Sequence, residues 1–139
     1  QVRLKETFWD PDQAFSVCAQ ARCIVSMEMH SVIMSIAAGT PTIHPRFAEA
    51  GRKAWMLRDL GVEKWLSDLD ADPAAKPIAA LLDIHDNFDR AIADVGNAKA
   101  IVARRQAETM AVVKAAVEEG ARRRKSIRER TADGSPCRL

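Results

Sequence analysis

The stretch Cys23 to Pro45, CIVSMEMHSVIMSIAAGTPTIHP, decides the fold. Cys23-Ile24-Val25-Ser26 is short, apolar and β-branched, which reads as a buried parallel strand. Met27 to His30 connects it to an apolar run, Ser31 to Ala38, that suits a buried helix closed by Gly39 as its C-terminal cap. Thr40-Pro41 then turns the chain into a second strand, Thr42-Ile43-His44. Strand, helix and strand in this order make the unit of a parallel sheet with right-handed crossovers.

Working outward, Val2-Arg3-Leu4 alternates as the end of an earlier strand. Asp10 can cap a helix and Pro11 fits its first position. That helix is expected to run to about Ala21, with Ala14, Phe15, Val17 and Cys18 on its apolar face. Glu49 to Leu60 reads as another amphipathic helix ending at Gly61. The expectation is an α/β fold, with a Rossmann-like parallel sheet and flanking helices over residues 1–72. From Pro73 onward only helix is expected: Pro77 to Ile84, then a long helix from about Phe88 to Glu119. The long helix carries a stripe of Ala91, Val95, Ala98, Val102, Met110, Val113 and Val117. Gly120 is expected to end it, so residues 73–120 form a helical segment and 121–139 a basic, disordered tail.

The chain of 139 residues carries a formal charge of only +2, which argues against a dedicated nucleic-acid binder. No apolar run approaches the roughly 18 residues of a membrane span. Cys18, Cys23 and Cys137 are odd in number and show no CxxC or CxxH spacing, and the N-terminus lacks the features of a signal peptide. A reduced, cytoplasmic setting is therefore expected. The chain opens on Gln1 and reads as part of a longer protein.

His30 and Ser31 sit where a loop enters a helix at the carboxyl end of a strand, the place where doubly wound folds hold ligands. Free backbone N–H groups and the helix dipole favour an anion there. An imidazole at that point can move a proton near neutral pH, or it can simply satisfy a loop carbonyl. His44, before Pro45, either lines the same crevice or packs at a strand terminus. His30 and His44 lack metal-ligand spacing and no carboxylate cluster joins them, so no metal site is expected. Trp9, Trp55 and Trp65 read as core or rim packing, and Asp83, His85, Asp86 and Asp89 as a helix boundary. Arg122-Arg123-Arg124-Lys125 reads as a solvated run.

Met27-Glu28-Met29-His30, the apolar helix after it and Gly39-Thr40-Pro41-Thr42-Ile43 resemble the C-terminal signature of the polysaccharide pyruvyl transferase family. The resemblance spans roughly Trp9 to Asp70. It implies the C-terminal half of a GT-B-like architecture, two Rossmann-like domains facing a cleft. It also implies transfer of a pyruvyl group from phosphoenolpyruvate to a sugar hydroxyl of a cell-surface polysaccharide or its precursor. His30 takes the role of general acid, with donor contacts from Glu28, Met29, Ser31, Gly39, Thr40 and Arg46. The implied partners are the donor, a sugar or polysaccharide acceptor and an N-terminal domain of the same chain, without a cofactor beyond the donor substrate. The family usually places arginine where this chain has Glu28. Either the donor differs, or Glu28 binds a hydroxyl or orients His30, or the standard activity is absent. Arg46 and Lys53 are the compensating cations. Two alternatives stand beside this reading. One is a GT-B glycosyltransferase using a nucleotide sugar, with Glu49 as its ribose carboxylate. The other is a non-catalytic interaction module built on the long helix.

Overall fold

The structure, a computed structural model, describes Val2 and residues 4–132, the last three by backbone alone. Helix α1 (Pro11–Gln20) begins as the sequence dictates. The Asp10 carboxylate accepts from the Gln13 amide at 2.8 Å, and Pro11 costs nothing at a position whose N–H has no helical partner. Strand β1 (Ile24–Val25) leads to α2 (Met29–Ala38) and β2 (Thr42–Arg46). Gly39 caps α2 at φ 90°, a left-handed conformation that side chains resist.

A short strand, β3 (Leu66–Asp68), completes a three-stranded parallel sheet in the order β1-β2-β3. Ile24 pairs with Thr42, and His44 with Leu66. β2 is thus central, and both neighbours pair along it. β3 escapes periodicity because three residues cannot display an alternation.

One apolar core joins sheet and helices. Val32 and Ile36 of α2, Ile43 of β2, and Leu57, Leu60, Val62 and Trp65 meet Ile84 of α4 (Ala75–Asp86). Ala91, Val95 and Ala98 of α5 (Phe88–Ala132) close it. The helices beyond residue 73 therefore share the core of the sheet, and the sequence boundary at 72/73 is not a boundary of packing. The described chain is α/β and mostly helical, ending in a long helix. It divides into two compact units, residues 1–102 and 103–139.

Several expectations are corrected. Val2 and Leu4 form no strand and are exposed, and Arg3 lies outside the described residues. α1 buries only Cys18, leaving Phe15 and Val17 exposed. The expected helix from Glu49 to Leu60 is a 3-10 segment, Ala48–Trp55, followed by α3 (Met56–Asp59). Gly51, at φ 65° and ψ −154°, breaks the helical path. Trp65 is the core tryptophan; the Trp55 ring lies under Arg52 and Arg58, and Trp9 is exposed.

Gly120 does not end α5, which continues through residue 121 to Ala132 rather than giving way to a disordered tail. Gly120 keeps negative φ, and the arginines, lysines and glutamates around it are good helix formers. Lys114–Glu118 and Lys125–Glu129 pair at helical spacing. Residues 133–139, including Cys137, lie outside the described residues. Among the described residues no helix is long and apolar enough to cross a membrane.

Candidate functional site

The Ser26 hydroxyl accepts from the Glu28 amide at 3.0 Å, fixing the bend between β1 and α2. Glu28 is then the N-cap of α2. Its Oε1 accepts from the His30 backbone N–H at 3.2 Å and lies 2.7 Å from His30 Nδ1. One carboxylate oxygen thus serves both the helix terminus and the imidazole. These two contacts with His30, the backbone bond first, hold the Glu28 carboxyl below its ordinary range, and the charges of His30 and His44 add to the effect. Because Nδ1 faces the carboxylate, Nε2 of His30 is the nitrogen left for a ligand.

Glu28 and His30 stand on the rim of a cleft of about 510 Å³ at the carboxyl ends of β1 and β2. Met27, Met29 and Ile33 line one side, and Ala50, Lys53, Ala54 and Met56 the other. His44 forms part of the wall. Met29 also packs against the core, which anchors the first turn of α2 beneath His30. Lys53 makes no ion pair among the described residues, so its ammonium is available to an anion in the cleft.

Not every expected residue belongs here. Gly39 and Thr40 lie at the far end of α2, whose ten residues separate them from His30 by about 15 Å. Thr40 is buried and donates to the Cys18 carbonyl at 2.7 Å, so its role is to dock α1. Ser31 is not in the cleft wall, and its carbonyl accepts from Ser35 Oγ at 2.7 Å. Arg46 is turned across the sheet to Asp68, its register partner on β3, at 2.9 Å. Of the two cations, Lys53 reaches the cleft and Arg46 does not. Glu49 is likewise absent from the cleft wall.

The structure adds His44 to the site. His44 as a residue is only 2 % exposed, and its Nδ1 lies 2.8 Å from the Ser26 carbonyl oxygen. His44 both packs at the strand and lines the crevice. Cys23, just before β1 and outside the cleft lining, is no nucleophile, since burial pushes its thiol up to about 11. No group of three or more potential metal ligands occurs among the described residues.

No curated protein and no solved structure matches the chain. Over residues 1–44, from the N-terminal arm through β1 and α2 to His44, the chain is similar to the polysaccharide pyruvyl transferase family, whose family model matches there.

Proposed function

We propose that the cleft is the donor side of a transferase that moves a pyruvyl group from phosphoenolpyruvate to a sugar hydroxyl. The observation that carries the reading is the Glu28–His30 pair, which presents a histidine Nε2 over a cleft whose free cation is Lys53. The matched segment ends at His44 and so contains Glu28, His30 and His44. In this reading His30 is the general acid, delivering a proton to the methylene carbon of the enolpyruvyl group. Glu28 orients the ring and stabilises its imidazolium form, as carboxylates do for working histidines. Lys53 neutralises the donor phosphate or carboxylate in place of the arginine that the family usually has at the position of Glu28. A GT-B-like second domain supplies the acceptor contacts. The acceptor is a hydroxyl of a cell-surface polysaccharide or its precursor.

Calorimetric titration with phosphoenolpyruvate and with nucleotide sugars tests this. Wild-type chain is expected to bind phosphoenolpyruvate, and Glu28→Arg to bind it more tightly, because a carboxylate at the mouth becomes a cation. Binding of nucleotide sugars but not phosphoenolpyruvate would overturn the donor assignment in favour of glycosyl transfer.

A further inference from the structure

The β1–β2 ladder stops at an unusual place. Ile24 donates its amide to Pro41 O at 3.0 Å, and Ser26 donates to Ile43 O at 3.0 Å. In a parallel ladder each such residue's carbonyl accepts from the amide two beyond the one that took its own N–H. For Ser26 that residue is Pro45, which has no N–H to give. The carbonyl would be left without its ladder donor beside the cleft. The His44 ring fills the gap, with Nδ1 2.8 Å from the Ser26 oxygen. A carbonyl only accepts, so Nδ1 carries the hydrogen, and in the neutral ring Nε2 carries none.

The consequence is a histidine whose tautomer is set by the backbone rather than by solvent. Its ring is nearly buried and walls the same cleft as Glu28, His30 and Lys53. The Glu28 carboxylate is near enough to feel the charge of His44. We propose that His44 is the proton acceptor of this cleft, held by the Ser26 carbonyl in the Nδ1–H tautomer so that Nε2 can take the proton of a ligand hydroxyl.

The assignment of a hydroxyl as the ligand rests on the transferase reading above. The acceptor O–H gives its proton to His44 Nε2, and its oxygen forms a bond to C2 of the enolpyruvyl group. The C2–C3 π pair takes a proton from the His30 imidazolium at C3. One proton enters the histidine pair and one leaves it, so net charge is conserved. When the C2–O bond to phosphate then breaks, phosphate leaves with the bond pair and takes the proton held by His44. The second sugar hydroxyl closes the ketal at C2 and returns its proton to His30. The pair ends as it began, and Glu28, 2.7 Å from His30 and lining the same cleft as His44, offsets the positive charge as it passes between them.

Long-range nitrogen–proton NMR on histidine-labelled chain tests the device without any ligand. The wild type is expected to show His44 as the Nδ1–H tautomer. Pro45→Ala restores an amide to the ladder, frees the ring and is expected to bring in the Nε2–H form. Carbethoxylation mapped by mass spectrometry is expected to mark His44 alongside His30, since the reagent needs a bare, reachable nitrogen. A wild-type His44 in the Nε2–H form overturns the proposal. So does a tautomer that Pro45→Ala leaves unmoved, or a His44 that stays unmodified while His30 and His85 react. These readouts need no donor, so a chain with the expected tautomer that binds no phosphoenolpyruvate loses only the transferase reading. A chain that binds phosphoenolpyruvate with the wrong tautomer loses only the role of His44.

Discussion

At its amino end α2 starts on Glu28, an exposed carboxylate that holds the His30 amide and ring over an open cleft. At its carboxyl end the same helix closes on Gly39 in a left-handed turn, with Thr40 buried against α1 and Lys99 of α5 donating to the Ala37 carbonyl at 2.9 Å. Both ends obey the helix dipole, with an anion at the start and a cation at the finish. They differ in what surrounds them. The carboxyl end is tied to α1 and α5 by those bonds and bears on stability. The amino end is left half-open, and its polar groups have capacity for something besides the fold. A motif that reads as one signature along the chain thus splits into two tasks about 15 Å apart.

Substitutions at the two ends should therefore separate cleanly. Ile36→Ala, in the last turn of α2 and 4 % exposed, is expected to cost roughly 2–5 kcal/mol in denaturant unfolding, through lost burial and a cavity. His30→Ala at the other end should change the unfolding free energy by no more than about 0.5 kcal/mol. Comparable losses at both ends would mean that the amino end is structural after all. Gly39→Ala comes next. A Cβ there meets no neighbour within 4 Å, so the cost is backbone strain at positive φ alone, about 1–2 kcal/mol by thermal melting.

Lys53→Ala sharpens the comparison from the ligand side. Stability should not change, while phosphoenolpyruvate affinity in calorimetry should fall about tenfold, as for loss of one charge-assisted contact. An unchanged affinity would remove Lys53 from the anion site. The smallest effect belongs to Glu28→Gln. Glu28 has a folded pKa below its unfolded value, so its contribution is present above the ordinary glutamate range and lost as pH falls through the lowered value. The acid-side loss of thermal stability should be smaller in Glu28→Gln than in the wild type, by the share that belongs to Glu28. The remainder belongs to Asp72 beside Lys76 and Asp83 beside Arg90, carboxylates held low in the same direction, and a variant with the full wild-type acid dependence would assign all of it to them.

The local signals were legible where a single residue dictates a backbone state. Asp10-Pro11 starts α1, and Gly39 ends α2, because capping and positive φ are properties of the residue itself. The β1–α2–β2 unit followed from apolar runs of the right length between such signals. Signals that depend on neighbours misled. Gly51 interrupts a stretch with helical periodicity, whereas Gly120 is carried through a helix that flanking Arg, Lys and Glu residues sustain. The apolar face of α1 is mostly exposed because periodicity reports what can be buried, not what is. Along the stripe of α5, Ala91, Val95 and Ala98 reach the core while Val102, Met110, Val113 and Val117 remain exposed.

The sequence by itself determined a parallel strand–helix–strand unit with His30 at the mouth of its helix. Apolar spacing, a cap and a glycine act within a few residues of one another, and that is enough to set such a unit. Only the tertiary structure decided which polar groups meet. Arg46 turns to Asp68 on β3, Lys53 comes into the cleft after the break at Gly51, and His44 reaches the Ser26 carbonyl that Pro45 cannot serve. Each of those pairings joins separate elements through the packing of the sheet, and strand register and side-chain burial are written in no single segment.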